Sequence, residues 1–374
     1  LEETIIPLIP AEPQPPDDRS KWGLTETGPG EPFAVRNELG VEPSPHEPIG
    51  EPSSLGFFWH VTDTQISDEE SPARLIKGDS LVSTAYRNQE AWTPLVMEAT
   101  IRTGNAFAKT YPFDFAIMTG DLIENIHKNQ IEWFIAIMEG GTVDPDSGDD
   151  DDPLPTSDLD PHSAFEAMGL DRNIPGYAVM GNHDSMIMGF SEDNQGGSIA
   201  DPTGDTTTGL SAAVIPTCLD EPWWDTEPKE PKRCYMPPMT YFEESTLVPD
   251  PNREYVRGAD MLEYFFGTET LPDGHGLTRQ NVEDGTAYYT VDGILPNVPS
   301  VLVVLETTAH VGDTGHVDVP QLEWLQGVLD QAEQDGKGVL IASPHSTGPI
   351  VKHQESGIPT LHSSPNVVLH LAGH

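Results

Sequence analysis

IPGYAVMGNHD, Ile174 to Asp184, is the stretch on which the fold turns. An apolar run gives way to a polar turn, which reads as a buried strand with chemistry-bearing residues at its tip. The same pattern recurs on both sides. LGFFWHVTD (Leu55 to Asp63) and FDFAIMTGD (Phe113 to Asp121) lie upstream; GVLIASPH (Gly338 to His345) and NVVLHLAGH (Asn366 to His374) lie downstream. TAYYTVD (Thr286 to Asp292) and SVLVVLET (Ser300 to Thr307) add two more predicted strands. Between them the period turns helical, over Arg87 to Phe107, Lys128 to Gly140 and Arg253 to Gly267. The stretch Val319 to Gly336 is an amphipathic helix closed by its glycine. Strands alternating with helices predict an α/β domain.

Five of these strands end in residues able to bind metal: TD-T-Q, TGD, GNHD, SPH and AGH. Ligands of α/β sheets gather beyond the carboxyl ends of strands. The candidates are therefore Asp63, Gln65, Asp121, Asn182, His183, His345 and His374. Carboxylates, imidazoles and amide oxygens form a mixed donor set suited to Mn, Fe or Zn rather than Ca or thiolate-bound metal. A carboxylate shared by two cations is the usual logic of a two-metal hydrolase. Singly, each position has a plain structural reading: Asp63 as a helix N-cap, Asn182 as a turn residue, His345 as a loop residue after Pro344. The ordered set of five tips outweighs those readings. His60 and His370 fall inside strands and are expected to be buried and hydrogen-bonded, while His353 and His362 carry no motif support.

Composition narrows the partners. The 374 residues carry a formal charge of -44, from 18 Lys plus Arg against 62 Asp plus Glu. Such a surface repels nucleic acid and anionic lipid, so no nucleic-acid partner is expected. It also repels phosphate esters, so a site that handles them needs local positive charge, most simply metal ions. No apolar run reaches the roughly 20 residues that span a bilayer. Residues 1–54 are rich in Pro, Glu and Gly and read as an extended arm; the α/β domain runs over 55–374. An acidic loop, 141–161, and a Gly-, Pro- and Thr-rich insertion, 185–250, interrupt it. DPDSGDDDDP in the acidic loop loosely resembles a calcium loop but lacks the closing Glu, so a solvated loop is the expectation. The only cysteines, Cys218 and Cys234, lie in the insertion; a disulfide is expected there, although spacing alone also allows two free thiols. With Leu1 first and no signal peptide present, this suggests an exported protein whose leader has been removed.

The ordered motifs resemble those of the calcineurin-like metallophosphoesterases. That family carries D-x-H, G-D-x-x-[D/E/N], G-N-H-[D/E], a lone His and G-H-x-H. Here they run DTQ (Asp63 to Gln65), GDLIEN (Gly120 to Asn125), GNHD (Gly181 to Asp184), SPH (Ser343 to His345) and AGH. GPGEPFAVRNEL (Gly28 to Leu39), DEESPARL (Asp68 to Leu75), WFIAIMEGGTVDPDSG (Trp133 to Gly148) and GTAYYTVD (Gly285 to Asp292) look like one exported bacterial branch of undefined substrate. The resemblance implies a four-layer α/β/β/α sandwich of two mixed sheets and a centre of two divalent metal ions. In it Asp63 would bind the first metal, Asp121 would bridge both, and Asn182, His345 and His374 would bind the second. His183 would serve the scissile phosphate or the leaving oxygen, with Asp184 orienting it from behind. The implied reaction is hydrolysis of a small phosphoester, with a lean toward diesters, by hydroxide held between the metals. A phosphomonoesterase, or a binding protein that has lost its first metal site, is the alternative.

Two departures bear on the first metal. Gln65 stands where the family has His, and an amide oxygen is the weaker ligand. G-H-x-H would place a further His two positions past His374, where the chain ends; a C-terminally truncated fragment is the expectation, a natural degenerate member the alternative. One metal is thus expected to bind firmly and the other weakly. Oligomeric state is not legible.

Overall fold

The computed structural model describes residues 3–7, 25–29, 54–74, 89–148, 160–189, 201–210, 240–244, 247–266, 268, 270–308, 315–346, 350–352 and 364–374. The chain divides into two units, Leu1–Pro52 and Ser53–His374. In the first, β1 (Glu3–Pro7) and β2 (Thr25–Pro29) pair antiparallel, so the segment read as an extended arm contains a strand pair.

The second unit is a mixed α/β structure. β3 (Phe58–Val61), β4 (Phe115–Thr119) and, after the two-residue strands β5 (Thr142–Val143) and β6 (Phe165–Glu166), β7 (Gly176–Val179) form a parallel sheet in the order β3-β4-β7. Parallel neighbours need long crossovers. The helix α1 (Thr93–Ala108) supplies one, and α2 (Lys128–Glu139) lies in the next. Pro94 sits in the first turn of α1, where its missing N–H costs nothing. Met97 and Ile101 of α1 and Ile131, Phe134, Ile137 and Met138 of α2 are buried in the same cluster as β4.

β8 (Thr206–Leu210) and β9 (Thr240–Glu244) form an antiparallel pair inside the insertion read as loop. The second large sheet follows: β10 (Tyr289–Asp292), β11 (Ser300–Val304), then, past β12 (Gly315–His316), β13 (Gly338–Ser343), and, past β14 (Ile350–Lys352), β15 (Val367–Ala372). Its order is β10-β11-β13-β15, antiparallel between β10 and β11 and parallel elsewhere. Only this sheet is mixed among the described residues, where two mixed sheets were expected; the β3-β4-β7 sheet is parallel because both of its connections carry a helix.

The alternation of β11 shows how this sheet is covered. Leu302 and Val304 join the large cluster that contains β4 and β7. Val301 and Val303 point the other way, onto Leu325, Leu329 and Ala332 of the helix Val319–Asp335. That helix begins as its sequence suggests: Asp318 accepts from the Gln321 amide at 2.8 Å, and Pro320 lies in the first turn. Gly336 closes it at φ +64°. The predicted helix over Arg253 to Gly267 is shorter, Gly258–Glu263, because Arg253 is drawn into a buried polar hub and Arg257 is extended. Cys218, Cys234, His353, His362 and residues 149–159 of the acidic loop lie outside the described residues. Among the described residues, no helix is long and apolar enough to cross a membrane.

Candidate active site

Five strands, three from one sheet and two from the other, bring their carboxyl-terminal tips together. Asp63 follows β3, Asp121 follows β4, Asn182 and His183 follow β7, His345 follows β13 and His374 follows β15. The contacts are direct. The His374 amide donates to Asp63 Oδ2 at 3.0 Å. His374 Nδ1 donates to Asn182 Oδ1 at 3.2 Å and stands 3.8 Å from Asp121 Oδ2. The His183 amide donates to Asp121 Oδ1 at 3.0 Å. The rings of His345 and His374 lie 4.3 Å apart, and the Gly373 amide donates to the Pro344 carbonyl at 3.0 Å.

The backbone here is unusual. Six non-glycine residues among those described have positive φ, and four are at these tips: Asp63 (+53°), Gln65 (+40°), Asp121 (+52°) and His374 (+70°). Left-handed backbone costs a side chain of order 1–3 kcal/mol and concentrates where function requires it. The cost here is met by pairing that continues past the strand ends. Asp63 N donates to the Gly120 carbonyl, Gln65 N to that of Asp121, and Ile66 N to that of Leu122, at 3.1, 2.9 and 3.1 Å. Two glycines make the close approach possible. A methyl group at Gly181 would overlap the Asp121 carboxylate, and one at Gly373 would overlap the Thr62 hydroxyl and the Asp63 carboxylate.

Electrostatics favour a charged Asp121. Burial opposes its ionisation, but the neighbouring His374 and His183 rings and the His183 amide outweigh it and hold the carboxyl below its ordinary range. His345 is fully buried, and its Nδ1 hydrogen-bonds with the Thr307 hydroxyl at 2.9 Å, which fixes the ring. His60 and His370, expected to be buried and hydrogen-bonded, are only half-buried, and they hydrogen-bond with Thr119 and Ser343, each at 2.7 Å. Gln65 is tied to the site through its backbone, whose N–H donates to the Asp121 carbonyl at 2.9 Å.

Asp184 gathers three backbone amides. Its Oδ1 accepts from the Leu122 and Ile123 amides at 2.8 and 3.0 Å, and its Oδ2 from Gly181 at 2.7 Å. It therefore locks the turn after β4 to the turn after β7, within reach of the His183 charge. Burial and the Asp121 charge push its carboxyl up to about 7, against the pull of those amides. His183 is held by Glu124: Nδ1 donates to the Glu124 carbonyl at 3.0 Å and lies 3.5 Å from its Oε2. Glu124 is itself a motif position, the third residue after Asp121 in GDLIEN, so the signal for it was present in the sequence. Thr307 had no such signal.

The donors suit a divalent cation: two carboxylates, an amide and two imidazoles where strand tips of the two sheets meet, with one carboxylate held ionised despite burial. Among the described residues, no group of three or more His, Cys, Asp or Glu side chains already stands in metal-holding arrangement.

No family model matches the chain, and no curated protein matches it. Among solved structures, it is similar to a dimetal phosphatase from Danio rerio, with 12% identity and a TM-score of 0.40 over 86% of this chain and 82% of that one.

Proposed function

We propose that this chain is a metal-dependent phosphoester hydrolase with a calcineurin-like centre, acting on a small phosphodiester. The observation that carries the reading is the meeting of Asp63, Asp121, Asn182, His345 and His374 where strand tips of two sheets converge, on backbone strained at three of the five. Asp121, Asn182, His345 and His374 would hold one divalent ion of the Mn, Fe or Zn type. Asp63 and Gln65, sharing Asp121, would hold a second. Bound there, the ions would bring the pKa of a water toward neutrality and offset charge on the phosphoryl oxygens.

The chain's own residues supply the rest. His183 keeps its Nδ1 proton on the Glu124 carbonyl, which leaves Nε2 to meet a phosphoryl oxygen or to pass a proton to the leaving oxygen. Asp184 holds the turns that carry Asp121 and His183 in register. With Nδ1 engaged by Thr307, His345 would present Nε2 to a cation. A diester carries one negative charge, a monoester up to two, and the chain at -44 tolerates the first better. The four-layer sandwich and export from the cell belong to the same reading.

The test is hydrolysis of a chromogenic phosphodiester and a monoester with Mn, beside Asp121→Asn. Diester turnover is expected, with the substitution removing more than the roughly 100-fold typical of a mere outer partner. Turnover that survives Asp121→Asn overturns the mechanism, and faster monoester turnover overturns the diester assignment.

A further inference from the structure

Beneath His183 lies a charged assembly that the reaction as described does not use. Arg74 is fully buried, and its guanidinium is shared between two buried carboxylates. Nη1 donates to Glu124 Oε1 at 2.7 Å, and Nη2 donates to Glu90 Oε2 at 2.5 Å. The other Glu124 oxygen, Oε2, is the one that faces His183 Nδ1. Glu124 is thus clamped at one oxygen and presented at the other. Glu90 is held from a separate element, the turn leading into α1, where its carbonyl accepts from Thr93 Oγ1 at 2.8 Å and Thr93 Oγ1 in turn accepts from the Ser67 amide.

We infer that Arg74 is a positioning residue for His183, acting through Glu124, with Glu90 as its anchor. The inference rests on the hydrolase reading for its kinetic part only. A carboxylate pivots about its Cγ–Cδ bond unless something holds it. The planar fork of an arginine can satisfy one carboxylate with each terminal nitrogen, which a single ammonium cannot do in the same geometry. Without that clamp, Glu90 and Glu124 face each other as two buried anions without their common cation. Glu124 then turns away, and the His183 ring loses the carboxylate that stands beside its Nδ1. Arg74 touches neither the strand tips nor any atom that would react, so its effect should fall on turnover rather than on metal binding or substrate affinity.

The experiment compares Arg74→Lys and Arg74→Gln with the whole chain. The first readout needs no activity: the His183 Nδ1–H resonance in metal-free, 15N-histidine-labelled protein, assigned by its loss in His183→Asn. Solvent exchange of this proton is expected to quicken in the Lys variant and to erase the resonance in the Gln variant. The second readout is kinetic. With Mn and the chromogenic diester, kcat should fall by roughly 10- to 100-fold in Arg74→Gln and less in Arg74→Lys, with KM and metal content unchanged. If Arg74→Gln does not fold, Arg74→Lys decides alone. A folded variant of either kind with a wild-type resonance overturns the inference, as does an unchanged kcat or a loss confined to KM. If the wild type hydrolyses no phosphoester, the hydrolase reading fails, and the resonance still decides the role of Arg74.

Discussion

Replacing Arg253 by Met should cost about 3–5 kcal/mol, the penalty for removing one partner of a buried ion pair. Arg253 is fully buried. Its Nε donates to Asp68 Oδ2 at 3.0 Å, Nη1 to the Val248 carbonyl at 2.7 Å, and Nη2 to the Ser147 carbonyl at 3.1 Å and the Ser147 hydroxyl at 2.5 Å. Methionine fills a similar volume and replaces none of these donors. Asp68, also buried, would keep only Asn129, Ser147 and the Glu70 amide. The two backbone carbonyls lose a donor as well, at about 1 kcal/mol each, partly counted already in the pair penalty. The assay is urea unfolding followed by far-UV circular dichroism. At an m-value of about 3 kcal/mol/M, a 3 kcal/mol loss lowers the midpoint by about 1 M. Arg279→Met is the control: Arg279 also meets a carboxylate, Glu263 at 2.5 Å, but both side chains are at least half exposed, and such a pair contributes at most about 1 kcal/mol. If Arg253→Met shifts the midpoint no further than Arg279→Met does, burial is not what gives this hub its strength.

Other expectations follow from the same geometry. Burial chiefly, aided by the Asp68 charge and opposed by Ser147 and Arg253, pushes Glu70 up to about 7. Its folded value lies above its unfolded one, so its contribution is full below about 4.5 and lost as pH rises toward 7. Glu70→Gln should therefore flatten the fall in urea midpoint across that window, and a slope unchanged from wild type would count against it. His127 behaves oppositely. Full burial, then the charges of Arg253 and Arg74, bring it down to about 3, so its contribution is full above about 6.5 and lost as pH falls toward 3. His127→Gln should accordingly remove part of the acid sensitivity of unfolding. Metal content after dialysis should approach one ion per chain, because Gln65 leaves the Asp63 side the weaker; two tightly held ions would reverse that ranking. Gly181→Ala should cost roughly 1–3 kcal/mol by overpacking against Asp121 and abolish turnover; unaltered turnover would mean the two tips are farther apart than they stand here.

The strand tips were legible because each one joins an apolar run to a polar turn, and the runs are long enough to be read without tertiary help. Their convergence was legible from order alone. What lay between them was not. Glu124 sat in a motif already quoted, yet its neighbour in space, Arg74, is 50 positions away in sequence, and nothing local marks the pair. The amides that Asp184 holds were hidden for a related reason. A carboxylate next to a histidine in sequence can turn its oxygens toward either the ring or the backbone, and here three amides converge on it. DEESPARL and GGTVDPDSG contain none of the five strand tips. They meet in one hub: Asp68 and Glu70 from the first contact Ser147 from the second, and Arg253 closes it. These stretches build a buried polar hub, away from the strand tips. The pair β8–β9 was missed because its strands lie 30 residues apart in a Gly-, Pro- and Thr-rich stretch.

The commitment of the buried arginines sharpens the case for cations. A phosphoester needs positive charge, and an arginine fork is the usual side chain for holding one. Arg74 and Arg253 are the fully buried arginines among the described residues, and carboxylates hold both. At the tips, the groups on the described side chains that can carry positive charge are the imidazoles of His183, His345 and His374, and two of these are the expected ligands of a metal. A protein of charge -44 that gripped phosphate through arginine would lose only part of its affinity to a chelator. This site, if its tips do hold phosphate, has little besides bound cations with which to do it. Chelation should therefore abolish binding of a non-hydrolysable diester analogue along with turnover, and analogue binding that persists without metal would place the phosphate somewhere other than these five tips.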